Sequence, residues 1–345
     1  MERLEYSFRF LIVSRAMRSI AISFAGLSIP LYLLALKYNI IFVGIVYFIL
    51  TLTTSLITFT FGLLGDRIGY KKILIIAEIL PFILFLILSF SNNPDLIISG
   101  IILSGVGGGP GAMRGAFSPG TSALIAKNWP DERDRIKKIG TLSAVGAFSS
   151  IGGAVLLYFH GFFQPYFGNV GAFRLLYLFS LILIIISIVS LIFVQERKGK
   201  KKVSKFMEKE SGKYSLKVIL ANSINGIGLG FSVMLLSAWL EIRYNVSPSQ
   251  IGLLFIFSYF ITAIASYLAT KVEYEEKNKV VYFGSLTRVM QGLLLIIMAI
   301  MPSFILSGVV YSVGAFFAGC GQPIRRAINV RGIKEGDYGT ATSIQ

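Results

Sequence analysis

The chain has 345 residues and a formal net charge of +16, yet only 14% of its residues are charged and 54% fall in the hydrophobic set. An ordinary soluble domain carries about 25% charged residues to cover its surface, and a chain with a mean hydropathy of +0.73 cannot do so. A water-soluble enzyme and a disordered protein are both excluded, leaving an all-α integral membrane protein.

A helix needs about 20 apolar residues to cross the hydrocarbon. The charge-poor runs predict ten crossings, at 10–36, 40–64, 72–90, 96–126, 139–160, 172–195, 215–240, 250–270, 280–301 and 304–326. Two uncharged runs, 139–173 and 289–324, are too long for one crossing. The first is broken at His160-Gly161 and Gln164-Pro165, the second at Pro302-Ser303. Apolar residues occur on every face without strand alternation, so the crossings are helices and not the strands of an outer-membrane barrel. The first apolar segment follows Arg15 and Arg18 and lacks a small-residue cleavage site, which reads as a retained span.

With the N-terminus in the cytoplasm, 28 of the 33 basic residues fall in cytoplasmic segments. Arg3, Arg9, Arg15 and Arg18 are counted among them. Lys37, Arg174 and Arg243 lie outside, and Arg114 and Arg288 lie within crossings. This is the positive-inside pattern of a multi-pass protein of the cytoplasmic membrane. A nucleic-acid surface has no reason to alternate in this way, so the basic charge points to anionic lipid and not to nucleic acid. The single cysteine, Cys320, excludes an intrachain disulfide and reads as a packing residue. With His160 the only histidine, no Cys/His metal site is expected, and no cofactor. His160 itself is expected in a loop at the outer face.

The organisation is a six-helix bundle over 1–195, a basic cytoplasmic linker over 196–214 and a four-helix bundle over 215–345. The linker opens with Gln195-Glu196-Arg197-Lys198 and suits the anionic leaflet. A faint internal echo at an offset near 204 pairs Gly105 to Gly109 before Pro119 with Gly314 to Gly321 before Pro323. Repeated helical halves joined by a central loop are one way secondary transporters are built. The glycine runs are not nucleotide loops, since the GK[ST] ending and the third fingerprint glycine are missing. Pairs such as Gly105/Gly109 and Gly226/Gly230 read as close helix packing.

The most specific motif lies between the second and third crossings: Gly62-Leu63-Leu64-Gly65-Asp66-Arg67-Ile68-Gly69-Tyr70-Lys71-Lys72. It resembles the helix 2–3 signature of the major facilitator superfamily, with Tyr70 in place of a usual basic residue. The resemblance implies two helical bundles, transport of a small molecule, and a conformational switch built from Gly62, Asp66, Arg67, Gly69 and Lys71. It also implies that Asp66 caps a later helix N-terminus. Two departures stand beside it. The equivalent segment of the second half, Ala269 to Lys277, has lost the glycines. In the fifth crossing Phe148-Ser149 replaces the Gly-Pro of the family's antiporter signature, although Gly152 and Gly153 remain. The family typically has twelve crossings, so two further helices are expected beyond the ten counted.

A charge inside a crossing costs about 2.5–3.5 kcal/mol on insertion scales and marks function by default. Arg114 is the deepest. Glu78 is the only acid clearly within a predicted crossing and is the candidate proton-coupling site. Asn222, Asn225 and Ser232 form a polar stripe on the seventh crossing, and Gln322 sits beside Pro323 in the tenth. In the family, helices 1, 4, 7 and 10 line the cavity. The resemblance therefore makes Arg114, Asn222, Asn225 and Gln322 the substrate-binding candidates. A cavity whose charge is positive favours a small organic anion or an amphipathic compound. Two readings stay open: a monomeric secondary transporter, or a non-transporting receptor, scaffold or inactive truncated paralogue.

Overall fold

The computed structural model describes residues 2–106, 117–129, 131–197, 209–269 and 277–330, and among these the regular structure is entirely helical. The chain divides into two compact units, 1–206 and 207–345. The first holds α1 (Glu2–Ala35), α2 (Ile40–Ile68), α3 (Tyr70–Phe90), α4 (Pro94–Leu103), α5 (Phe117–Asn128), α6 (Glu132–Tyr158) and α7 (His160–Phe193). The second holds α8 (Lys209–Ser232), α9 (Leu236–Tyr244), α10 (Pro248–Ala269), α11 (Lys277–Ile300) and α12 (Phe304–Val330).

Helix starts follow local chemistry. The Asn39 side chain accepts from the Phe42 amide and opens α2, and Asn93 accepts from the Asp95 amide ahead of α4, with Pro94 in the first helical turn. Asp131 does the same for α6 through the Asp134 amide. Each caps a helix end that otherwise leaves amide donors unsatisfied.

Eight helices among the described residues are long and apolar enough to cross a membrane: α1, α2, α3, α6, α7, α10, α11 and α12. The expected fourth crossing is α4 and α5 on either side of residues 107–116, which lie outside the described part. The expected seventh is α8 and α9, separated by a turn at 233–235. Lys213, Lys217, Asn222 and Asn225 make α8 too polar to match the other eight. The segment between the fifth and sixth crossings is not a loop. α7 begins at His160 and runs 34 residues, kinked at Gly168, whose φ is 71°.

In the first unit α1 is the central helix: 78% of its apolar span is buried, against 22% for α2. It packs against both α6 and α7. At Gly153 the two backbones touch, since a Cβ there would stand 2.6 Å from the Ile20 carbonyl oxygen and from the Phe24 amide nitrogen. The Ser23 hydroxyl donates to the Ser150 carbonyl beside it at 3.1 Å. In the second unit α12 packs against α10 and α11. A Cβ on Gly319 would stand 2.5 Å from the Thr262 carbonyl oxygen. The Thr262 and Ser266 hydroxyls donate across the seam to the carbonyls of Ala315 and Gly319, at 3.2 and 2.9 Å. Small residues with hydroxyl bridges are how helices associate where lipid removes the hydrophobic drive. At Gly226 and Gly230 no such contact is seen: among the described residues nothing lies within 4 Å of where their side chains would begin. Phe48, Leu52, Leu56 and Phe59 are exposed along α2.

Candidate functional site

Two sequence assignments change once α1 is seen whole. Arg15 and Arg18, counted as cytoplasmic charges, are both 2% exposed. They sit inside a helix that is apolar before and after them. Leu11, Arg15, Arg18 and Ile22 share one helical stripe, and that stripe faces the bundle. His160, expected in an outer loop, is fully buried at the start of α7, its Nε2 3.0 Å from the Asn169 carbonyl and its ring against Phe173.

Arg18 on α1 meets Glu78 on α3, with Nη1 2.6 Å from Oε2 and both side chains all but sealed from solvent. The Ser187 hydroxyl on α7 donates to the other carboxylate oxygen at 2.7 Å. It also lies 2.8 Å from the Ser14 hydroxyl. The Phe117 ring covers the guanidinium, its centroid 4.6 Å from Cζ, a cation–π contact. Three helices are thus joined at one charged point, where losing either partner leaves an uncompensated buried charge.

One turn earlier on α1, Arg15 lines a cavity of about 20 Å³ with Phe117, Thr121, Ser122 and Ile125 of α5 and Ile139, Leu142 and Ser143 of α6. Room is made for its guanidinium by Gly146, where a Cβ would stand 2.5 Å from Nη2 and 2.7 Å from Nε. The Ser143 hydroxyl is buried and has no hydrogen-bond partner among the described residues.

The switch motif is more compact than its sequence suggests. α2 runs through Asp66 and Arg67 to Ile68, α3 starts at Tyr70, and Gly69 alone turns the corner with φ of 100°. That φ favours glycine. The Tyr70 ring lies over Gly65, where a Cβ would stand 2.9 Å from it, so the residue that departs from the family pattern packs on the motif's small one. The side chain of Asp66 lies outside the described residues. The partner found for this corner is Glu196, which follows α7. Its carboxylate accepts from the amides of Tyr70 and Lys71 at 3.2 and 2.9 Å, capping α3. It also pairs with Lys127 of α5 at 2.7 Å. The Lys71 ammonium donates to the Ile192 carbonyl at 2.6 Å. Burial pushes the Glu196 carboxyl up, but the Lys127 ammonium and the two amides outweigh it and hold it below the usual carboxylate range. Nothing in the motif's spacing pointed to a partner more than a hundred residues away. The signal available was an acid in the first residues after an apolar run, facing a helix start.

Arg114 lies outside the described residues. Asn222 and the backbone of Asn225 are on α8, Gln322 is on α12, and neither Asn222 nor Gln322 makes a side-chain hydrogen bond among the described residues. The side chain of Asn225 lies outside them. Arg288 contacts the Gln291 side chain at 3.3 Å within α11. Sequence reasoning missed Glu241. The charge-free run ends at residue 240, but α9 continues to Tyr244 and half-buries this acid, with Oε2 lacking a hydrogen-bond partner among the described residues. The Cys320 thiol lies 3.8 Å from the Ala265 carbonyl as part of the α10–α12 seam.

Two units of helices long and apolar enough to cross a membrane, a glycine corner joining the second helix to the third, and charge held inside the first unit define a multi-pass membrane protein. The sequence profile of the Major Facilitator Superfamily matches residues 11–345, and the chain belongs to that family of secondary transporters. It is not an enzyme. Among solved structures, it is similar to the nucleoside transporter NupG, with a TM-score of 0.70 at 12% identity over 98% of this chain and 86% of that one. It is similar also to a bacterial homologue of the human lysosomal transporter Spinster, in an inward-facing and occupied conformation, with a TM-score of 0.64 at 14% identity over 99% and 77%. A D-xylose–proton symporter matches with a TM-score of 0.62 at 16% identity, over 99% and 87%. A comparison with curated protein sequences gives no match.

Proposed function

We propose that this protein carries a small organic anion or an amphipathic compound across the cytoplasmic membrane by alternating access, with its N-terminus in the cytoplasm. Family membership supplies the transport. The observation that carries the substrate class is Arg15, a guanidinium 2% exposed that lines a cavity walled by apolar side chains and hydroxyls. A buried cation in such a wall attracts an anion and repels a cation. Arg114, Asn222, Asn225 and Gln322 are proposed to line the path, on the helices that the family uses for its cavity. The corner of Gly62, Asp66, Arg67, Gly69 and Lys71 is proposed as the switch, its equilibrium biased by the contacts it makes in one state and not in the other.

Glu78 is proposed as the proton-coupling acid. Its pairing with Arg18 means that protonation must break that bond, which ties proton uptake to a rearrangement of α1 and α3. A pH-gradient requirement that persists in Glu78→Gln would exclude this role, and Glu241→Gln run in parallel tests the half-buried acid of α9.

The deciding experiment is exchange in proteoliposomes with a panel of labelled solutes: small carboxylates, nucleosides, pentoses and organic cations. Saturable exchange of carboxylates supports the reading. Exchange of nucleosides, pentoses or cations alone overturns the substrate class, and no exchange of any solute supports a receptor or scaffold instead.

A further inference from the structure

We infer that the Ser187 hydroxyl is a two-position donor that readies Glu78 for a proton. It bonds the carboxylate while that is ionised and turns to the Ser14 carbonyl when Oε1 is protonated. This rests on the proton-coupling reading of Glu78 and names the residue that positions it. The hydroxyl lies 2.7 Å from Glu78 Oε1, 3.2 Å from the Ser14 carbonyl oxygen and 2.8 Å from Ser14 Oγ. A serine hydroxyl donates once and accepts through two lone pairs, so it cannot serve Oε1 and the carbonyl together. With Glu78 ionised the proton stays on the short bond to the charge, the stronger kind. Ser14 then donates to Ser187 Oγ, and both hydroxyls point toward the carboxylate and polarise one another.

Oε2 is taken by Arg18 Nη1 at 2.6 Å, so the oxygen left to receive a proton is Oε1. Protonated there, Glu78 becomes a donor facing Ser187 Oγ across the same 2.7 Å. Two protons cannot share the space between one pair of oxygens. The Ser187 proton therefore leaves, and the Ser14 carbonyl is already within its reach. A peptide oxygen has two lone pairs, of which the α1 ladder uses one. A rotation about the Cβ–Oγ bond of Ser187 thus reverses the chain and leaves its buried atoms bonded in both states. Without that second acceptor, protonation would strand a buried donor, which is costly. The step balances: a proton from solvent adds to Oε1, the carboxylate becomes a neutral carboxyl, and the Arg18 pair loses its negative half and can part.

Ser187 also departs from what its own helix offers. Ser180 and Ser190 of α7 donate to the carbonyls four residues back, at 3.0 and 2.8 Å, the usual bond of a serine inside a helix. Ser187 instead turns outward, to α1 and α3. Ser14, Glu78 and Ser187 are all 0% exposed. Among the described residues, Arg18 bonds Glu78 and Arg15 lies one turn away on α1. The other charges on helices packed against α3 stay at helix ends: Asp66 to Lys72 at the corner, Lys127 at the end of α5 and Asp95 at the start of α4. α7 carries no charge after Arg174.

The test is pH-difference infrared spectroscopy of the purified full chain in phosphatidylcholine vesicles, reading the carbonyl stretch of the protonated carboxyl. The Glu78 band is assigned by its loss in Glu78→Gln, or by its displacement in Glu78→Asp should the first variant not fold. In Ser187→Ala the protonated Oε1 has no hydroxyl to donate to, and the band is expected at higher frequency than in the wild type. Ser187→Thr keeps the hydroxyl and is expected to keep the band near its wild-type position. Ser14→Ala removes a hydroxyl from the same seam but keeps the carbonyl that the turned donor needs, so the band is expected to stay. A purely structural seam would lower stability in both alanine variants and treat the band alike in both. Should Ser187→Ala not fold, Ser187→Cys decides, since a thiol is a weak acceptor and is expected to move the band the same way by less. A band unmoved in the Ser187 variants, or moved equally in Ser14→Ala, overturns the inference and leaves Glu78 as a proton acceptor. No Glu78 band at any pH at which the chain stays folded removes the proton-coupling reading itself, and this inference with it.

Discussion

Removing the carboxylate of Glu78 is the sharpest structural perturbation available in the first unit. Arg18 Nη1 and Glu78 Oε2 are 2.6 Å apart with side chains 3% and 0% exposed, and Ser187 donates to the second carboxylate oxygen at 2.7 Å. Glu78→Leu leaves a guanidinium buried among α1, α3 and α7 without its counter-charge, and the Ser187 hydroxyl loses its acceptor. Breaking a buried pair from one side costs about 3–5 kcal/mol, because the desolvation of the surviving charge is no longer offset. Arg18→Met has the converse effect and a similar cost. The double variant removes both charges and keeps apolar volume, so its cost is set by packing and by Ser187 alone, about 1–3 kcal/mol. Reversible unfolding of the four proteins in mixed micelles, with the free energies closed into a double-mutant cycle, measures the difference. A coupling energy of several kcal/mol, with the double variant more stable than either single one, is expected. Additivity within about 0.5 kcal/mol would show that the two side chains do not interact and would refute the Arg18–Glu78 pairing.

Three further outcomes are expected. The folded Glu196 carboxyl sits below its ordinary value, so its contribution is present at neutral pH and is lost as pH falls through that lowered value. Protection of the first-turn amides of α3 relative to their intrinsic exchange rate should therefore fall in the wild type as pH drops through that lowered value. Glu196→Gln should already be less protected at pH 7, by about 1 kcal/mol after discounting for its solvent contact, with a protection factor that does not change with pH. A pH response retained in that variant would assign it to another group. Gly153→Ala puts a Cβ 2.6 Å from two backbone atoms of α1 and should destabilise the first unit by about 1–3 kcal/mol, read as a lower unfolding free energy. An unchanged value would mean the helices are not in backbone contact. Asp66→Asn should lower the transport rate more than it lowers membrane insertion, measured as initial uptake normalised to surface expression, and unchanged uptake would count against the corner as a switch.

The helical class and most crossings were legible in the sequence because lipid imposes a long apolar run on every span. The break at Pro302-Ser303 could be read from turn chemistry. What failed were inferences that equated charge with water. Arg15 and Arg18 read as cytoplasmic because they precede a charge-free run, yet the helix is apolar on both sides of them and Glu78 lies far off in sequence. His160 read as a loop residue because of Gly161 and Pro165, but the chain stays helical through Pro165 and turns at Gly168 instead. The motif's glycines were recognised from their spacing. Their partner Glu196 was not, because only the fold brings residue 196 to residue 69. The Arg15 cavity was invisible for the same reason: Gly146 matters only through the guanidinium that faces it.

The proposed function has this protein move an organic anion and select it by charge. Counterflow of labelled benzoate in proteoliposomes, wild type beside Arg15→Gln at matched protein incorporation, tests it most directly. Saturable counterflow driven by internal unlabelled benzoate and not by benzamide, and lost in Arg15→Gln, is the predicted result. Counterflow of benzamide equal to that of benzoate, or benzoate counterflow undiminished in the variant, would contradict it.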